Sequence, residues 1–344
     1  MKIGMMTPWN RPCGAAMHAQ FICDEWVKAG HNLTVFAPYG GPILQTKDEP
    51  WVIRHYGLGK PAPFDRAPIF DTEYDFFVFQ QVPEMPSDIV MRLASRIKKK
   101  AKMIMVVHEG KVPGRAVCKI PWDAVVCFDK RYKKFLLSVF PKEKVHIIHY
   151  PCHPVEHIDK ITARKELGLP LDRMIIMIYG IAIHQYFHLL PMMSRLNKKS
   201  PLLFMVFTPV RDWGELYEAV GSRYEFIYLK MESLTMPELY KYLNASDAFI
   251  YHRDSSIDVV VPSTIYSCLG AGCPIFALWS NFVETLDMEV IKYGGLDELE
   301  ELLLGDKNRC EIAIHAATNY ATRNSAENIA KKFIKLFKVL ENKR

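Results

Sequence analysis

A chain of 344 residues exceeds what one hydrophobic core serves well and suits two domains of about 150–190 residues. Its 49% apolar content is that of a globular protein, and its longest apolar runs, such as MIIMIYGIAI, reach about half of the ~20 residues a membrane-spanning helix needs. The net charge of +6 is concentrated in the first half, where residues 1–154 hold 22 Lys+Arg against 14 Asp+Glu; no basic helix is interleaved with aromatics and no zinc-finger or RNA-binding signature occurs, which excludes nucleic acid as the expected partner.

In chain order, MKIGMMTP reads as a short buried strand. CGAAMHAQFICDEWVKAG follows as an amphipathic helix, with Ala16, Ala19, Phe21, Cys23, Trp26 and Val27 at helical spacing and Gly30 as the stop. HNLTVFAP is the next strand, and the Pro- and Gly-rich residues 39–74 are expected to be mostly loop. YDFFVFQQ is a strand, 87–100 a helix, and KMIMVVHE, AVVCFD and VHIIHYP are three further strands. The rhythm then restarts. RMIIMIYG, PLLFMVFTP, YEFIYLK, DAFIYH and PIFALW read as strands. HLLPMMSRLN, WGELYEAVG, TMPELYKYLNAS and STIYSCLGAG read as the helices between them, and two long helices close the chain. Such alternation implies parallel sheets covered by helices on both faces, hence two doubly wound α/β units with ligand expected in the crevice between them. The boundary is expected near YPCHPVEH, residues 150–157.

The eight cysteines are scattered without a C-x-x-C pair and are expected to be free thiols in a reducing compartment. The opening Met-Lys-Ile-Gly-Met-Met is too short in apolar residues for a secretory leader, so a cytoplasmic location is expected. Two readings fit the basic clusters RIKKKAK (96–102) and KRYKK (130–134): solvated helix ends, or a surface for anionic lipid at the inner face of a membrane or for a phosphorylated acceptor.

Neither half carries G-x-G-x-x-G or a Walker loop. Gly14 and Ala15 instead open the first helix, where uncovered backbone N–H groups suit an anion. A second such place is DVVVPSTIYSCLGAGCPIF, 258–276, which holds one charge in nineteen residues. Pro262 lies at the start of its helix, Ser263 or Thr264 near the cap, and Gly270, Gly272 and Pro274 end it. Small, uncharged side chains there would let a diphosphate approach the main chain.

On these residues the chain resembles the family 4 glycosyltransferases of the GT-B fold. The likeness rests on the opening strand–Gly loop–helix with AGHNLTVFAP, on KMIMVVHE, and on DAVVCFDKRYKKFLLSVFPKEKVHIIHYPCHP. It extends through LYKYLNASDAFIYHRDSSIDVVVPSTIYSCLGAGCPIF to the closing NYATRNSAENIAKKFIKLFKVL, and so covers nearly the whole chain. The resemblance implies an N-terminal Rossmann-like acceptor domain (1–154), a C-terminal Rossmann-like nucleotide-sugar domain (155–325) and a last helix (326–344) crossing back to the first. It implies transfer of a hexose from a nucleotide-sugar donor to a glycan, lipid-linked or small-molecule acceptor, with retention of configuration and no bound metal or other cofactor. His108 matches the family's cleft histidine and is the expected catalytic residue. Gly14 and Ala15 would face the donor phosphates and sugar. Asp258, Val260, Val261 and Pro262 would lie along hexose and phosphates, and Ser263 and Thr264 would donate to the diphosphate. Lys230 and Met231 would lie near the base. Gly180 and His184 belong to the loop YGIAIHQYFH, which stands where the family carries an Arg and a Lys. Where the family has a pair of glutamates, this chain has Val259, beside Asp258, and Ser267.

Those replacements leave two readings open: an active transferase in which His184, His188, Arg211 or Arg253 substitutes, or a catalytically degenerate GT-B protein that binds a nucleotide-sugar or partners an active enzyme. A sugar-nucleotide epimerase or phosphorylase on the same architecture lacks its own signature. His146, His149, Cys152, His153 and His157 crowd the linker, but a strand and a Pro-bounded turn make their side chains diverge, so no metal site is expected. Glu109 is expected at the surface, with base-and-orienter pairing to His108 as the alternative. The aromatic residues of FFVFQQ and YEFIYL are expected to be core.

Overall fold

The computed structural model describes residues 1–40, 47–59, 63–221, 223–305 and 307–342. Its contacts divide the chain into two units, one of Met1–Pro151, Ile257–Ser263 and Ala326–Arg344, the other of Cys152–Ser256 and Thr264–Ser325.

In the first unit β1 (Lys2–Met6) leads to α1 (Gly14–Lys28) and β2 (Asn32–Pro38), then β3 (Val52–Tyr56), α2 (Ala67–Asp71), β4 (Phe76–Gln81) and α3 (Ser87–Lys100). After these come β5 (Lys102–Val107), α4 (Arg115–Cys118), β6 (Ala124–Cys127), α5 (Lys130–Leu136) and β7 (Val145–Ile147). Among the described residues the seven strands form one sheet in the order β3-β2-β1-β4-β5-β6-β7, with every pair parallel. All six residues of β4 are buried, as expected of a strand covered on both faces. The order reverses between β1 and β4, and such a switch point opens a crevice at the strands' carboxyl ends.

Within the segment 39–74, expected to be mostly loop, β3 and α2 are the regular elements among the described residues. Val52 and Ile53 carry the β-branched side chains a strand favours. The strand extends the sheet edge against β2, and the Tyr56 hydroxyl donates to Thr7 O across 2.9 Å. Of that segment, residues 41–46 and 60–62 lie outside the described residues.

In the second unit α6 (Lys160–Glu166), β8 (Met174–Tyr179), a 3-10 turn (Ile183–Leu189), α7 (Leu190–Lys199), β9 (Leu202–Phe207), α8 (Arg211–Gly221) and β10 (Ile227–Lys230) come first. Then follow α9 (Met236–Ala245), β11 (Ala248–Tyr251), α10 (Ser263–Cys268), β12 (Ile275–Leu278), β13 (Ile291–Tyr293), α11 (Leu296–Leu304) and α12 (Lys307–Arg323). Six described strands pair in parallel in the order β10-β9-β8-β11-β12-β13, with the switch point between β8 and β11. Thr235 and Glu238 cap the start of α9 with a reciprocal capping box. β13, only three residues long, and α11 are additions to the elements expected from sequence; both precede the two long terminal helices.

The last helix, α13 (Ala326–Glu341), belongs to the first unit. It packs on α1, where the Trp26 indole donates to Ala330 O at 3.2 Å, and on β4, where Phe337 stacks on Phe76 with ring centroids 4.5 Å apart. All eight cysteines are free thiols. Among the described residues no helix is long and apolar enough to cross a membrane.

Candidate functional site

In the first unit the carboxyl ends of β1, β4 and β5 bring several of the expected residues together. His108 follows β5 directly and is half-buried. Its Nε2 lies 2.5 Å from Oε1 of Gln80, which is fully buried on β4. The Gln80 amide nitrogen donates onward to Nδ1 of His18 at 3.3 Å, and His18 is fully buried on α1. The rings of His18 and Phe128 pack on His108, and Tyr150 packs on both of them: His18–His108 centroids are 5.1 Å apart, His108–Phe128 5.0 Å, His18–Tyr150 5.5 Å and Phe128–Tyr150 5.5 Å. Burial in this aromatic nest disfavours the imidazolium, pushing the His108 pKa down to about 3. Burial, with His108 beside it, also holds His18 well below the ordinary range. Burial thus favours the uncharged form of both rings.

Gly14 is the first residue of α1, and its carbonyl accepts from the Tyr150 hydroxyl at 2.7 Å. A Cβ at Gly14 would lie 3.0 Å from Ser263 Oγ, so the absence of a side chain lets the two segments approach. Ala15, next in α1, is buried.

The stretch 257–263 is threaded into the first unit by its backbone. Val259 N donates to Gly110 O at 3.1 Å, and a Cβ at Gly110 would sit 1.5 Å from Val259 O. Arg131 Nη2 donates to Val260 O at 2.9 Å and to Asp129 Oδ2 at 2.7 Å. The same Asp129 carboxylate accepts from the Arg131 and Tyr132 amides and so caps α5. Lys111 Nζ is 3.6 Å from Asp258 and 4.0 Å from Glu109. Val261 O accepts from the Ser263 amide at 2.9 Å, so that N–H is already engaged; Pro262 between them is buried.

Glu109 departs from its expected surface position. Its side chain is only 17% exposed and accepts a hydrogen bond from the Gln81 amide. The His108 ring meets Gln80, and the Glu109 carboxylate meets Gln81. Gln80, Gln81, His18 and Gly110 were passed over in the sequence. The available signal was two glutamines ending an otherwise apolar strand, where no packing requirement calls for an amide.

In the second unit the carboxyl ends of β8, β9 and β10 collect another group. Gly180, after β8, has φ +135°, a conformation that favours glycine, and its amide donates to Phe207 O at 3.1 Å. Exposed His184 lies on Trp213 with ring centroids 4.4 Å apart, and Gly214, the next residue of α8, abuts the side chain of Met231. Lys230 ends β10; hydrogen bonds to Tyr242 and then to Glu232 push its pKa up. Across the switch point, His188 and the buried His252 place their Nε2 atoms 2.6 Å apart, and His252 Nδ1 meets the Tyr293 hydroxyl at 2.6 Å. Burial, then His188, lowers the His252 pKa to about 4. Thr264 is half-buried in α10, whereas Ser267 is 1% exposed and its hydroxyl has no hydrogen-bond partner.

The linker histidines turn apart: His153 lies on Tyr240 and meets Glu156, while His157 meets Asn244. Among the described residues no three His, Cys, Asp or Glu side chains are grouped to hold a metal ion. Much of the basic cluster 96–102 is engaged internally. Arg96 lies over Phe70, Lys98 pairs with Asp123, and Lys100 donates to the carbonyls of Ile69, Phe70 and Thr72.

No protein-family model matches the sequence. Solved structures do match along the whole chain. Sucrose-phosphate synthase from Thermosynechococcus elongatus aligns over 100% of both chains at 12% identity and a TM-score of 0.71. A glycosyltransferase from Rickettsia africae aligns over 98% of both chains at 13% identity and a TM-score of 0.72. Anabaena HepE, solved in complex with UDP-glucose, aligns over 98% of this chain and 100% of its own at 11% identity and a TM-score of 0.71. At such identities the likeness concerns the fold: this chain has the GT-B glycosyltransferase fold.

Proposed function

We propose that this protein moves a hexose from a nucleotide-sugar to a glycan, lipid-linked or small-molecule acceptor, retaining configuration and using no metal. The observation that carries the reading is the chain-long likeness to GT-B enzymes, among them HepE with UDP-glucose, combined with a histidine at the carboxyl end of β5 held by Gln80 of the switch-point strand β4. In this reading His108 meets the sugar and acceptor as a hydrogen-bond acceptor and base. Gly14, Ala15 and the chain from Asp258 through Val260, Val261 and Pro262 line the hexose and phosphates. The Ser263 hydroxyl and the Thr264 amide donate to the diphosphate. Gly180, His184, Lys230, Met231 and Ser267 serve the nucleotide. Peptide N–H groups would carry the leaving group's charge in place of cationic side chains, an electrostatic role that is often the largest catalytic contribution. Lys130 and Lys134, exposed on α5 beside exposed Leu137 and Val139, are the proposed contact with an anionic membrane surface.

A second reading, a degenerate GT-B protein that binds without turnover, is favoured by the buried, unpartnered Ser267 hydroxyl and by the absence of Arg and Lys from residues 180–188. One experiment separates the two. The protein is incubated with UDP- and GDP-sugars and a panel of acceptors, and nucleoside diphosphate release is followed. Release that falls about 10²–10⁴-fold in His108→Ala supports the transferase. Binding without release from any donor supports the second reading, and failure to bind any nucleotide-sugar overturns both.

A further inference from the structure

We infer that Gln80 and His18 are positioning residues for His108, holding its ring as the Nε2–H tautomer so that Nδ1 is the nitrogen left to accept a hydrogen bond. The catalytic consequence rests on the role proposed above for His108; the tautomer itself does not.

The argument is one of donors and acceptors. Gln80 Oε1 only accepts, so the His108 Nε2 that lies 2.5 Å from it must carry the proton. A neutral ring has one N–H, which leaves the lone pair on Nδ1. The Gln80 amide nitrogen only donates, so His18 Nδ1 must accept and His18 carries its proton on Nε2. Reversing the amide would exchange both tautomers, but Met5 decides against that. Its sulfur lies 3.6 Å from the Gln80 nitrogen, where an N–H finds a weak acceptor and an oxygen would meet a second electron-rich atom.

Every member of the chain is locked in place. Gln80 and His18 are fully buried, on β4 and α1 respectively. His18 Nε2 finds no oxygen or nitrogen partner and is surrounded by rings: Phe128 at 5.3 Å, Tyr150 at 5.5 Å and Phe333 at 6.0 Å between centroids. The polar and titratable neighbours of His108 are Gln80, His18, the Tyr132 hydroxyl at 3.4 Å from its carbonyl, and Glu109, whose carboxylate is taken by Gln81. A ring so held offers an incoming sugar or acceptor hydroxyl a lone pair at a set position and brings no positive charge to the diphosphate.

The test is two-bond ¹H–¹⁵N correlation of the full-length protein labelled at its 12 histidines, recorded from pH 4 to 8, with His108→Gln used to assign the His108 signals. The expected spectrum shows His108 neutral throughout, protonated on Nε2. In Gln80→Leu the single tautomer should give way to a mixture, and donor turnover should fall about tenfold through kcat with little change in KM. In Gln80→Glu a carboxylate faces the Nε2–H, and the His108 titration should move up by about 1–3 pH units. That variant keeps the test open if Gln80→Leu fails to fold. A wild-type ring protonated on Nδ1, or a tautomer unchanged in Gln80→Leu, overturns the inference. The expected spectra in a protein that turns over no nucleotide-sugar would uphold the tautomer while sinking the proposed function.

Discussion

Replacing Gly110 by alanine should lift residues 257–263 off the end of β5. The new Cβ would sit 1.5 Å from Val259 O, 2.4 Å from its carbonyl carbon and 2.7 Å from its nitrogen. These are backbone atoms, which cannot swing aside as a flexible side chain does, so the two segments must part by at least ~1.5 Å to restore ordinary contact. The Val259–Gly110 hydrogen bond at 3.1 Å cannot survive that displacement, and the Arg131–Val260 bond at 2.9 Å depends on the same seating. A neutral hydrogen bond contributes about 1 kcal/mol and one from a charged donor about 1.5–3 kcal/mol, so local loss of about 2.5–4 kcal/mol is expected. Gly110 does not occupy the left-handed region, so alanine brings no backbone strain of its own and the clash is isolated as the cause. Amide hydrogen exchange reads the effect directly: protection of the Val259 N–H should fall roughly 10²–10³-fold. Gly114→Ala is the control, because nothing lies within 4 Å of a Cβ there. Unchanged protection at Val259 in Gly110→Ala would refute the close approach and with it the assignment of 257–263 to the first unit.

Two carboxylates should give opposite pH dependences. Burial, then Glu49, raises the Asp24 pKa to about 6, above its unfolded value; its stabilising effect is present below about pH 4 and is lost as pH rises through about 6. Asp24→Asn should therefore raise stability at pH 7 by about 1–2 kcal/mol, after allowance for solvent screening, and change it little at pH 4, as read from urea midpoints. Asp247 accepts from Arg164 at 2.6 Å, Ile175 N at 2.7 Å and Lys160 at 2.8 Å. Burial pushes its pKa up, but these partners outweigh burial and hold it down, so its contribution is present at neutral pH and lost as pH falls through the depressed value. Asp247→Asn leaves the Arg164 guanidinium, 7% exposed, without its counter-charge and should cost about 3–5 kcal/mol at pH 7; equal urea midpoints for variant and parent at pH 7 would contradict this.

How far the site could be read from sequence follows from the range of the contacts involved. His108 was singled out by its match to the family's cleft histidine, and its place directly after a strand was legible because that strand is an apolar run. The helix starts at Gly14 and just after Pro262 were legible because helix starts have local chemistry. Gln80 was not, since an amide at the end of FFVFQQ reads the same whether it faces solvent or bridges two imidazoles 62 and 28 residues away. Arg131, in a cluster read as solvated or lipid-facing, is held by Asp129 and by a carbonyl 129 residues distant.

The alternation of strands and helices, and its restart after residue 150, were determined by sequence alone, because buried parallel strands are continuous apolar runs and helices are bounded by caps and stops within a few residues. Tertiary structure decided that Val52–Tyr56 is an edge strand, that Gly110 admits the backbone of Val259, and that His108 answers to Gln80 and not to Glu109. Each of these depends on which atom another part of the chain brings within a few ångströms, and periodicity along the chain carries no record of that.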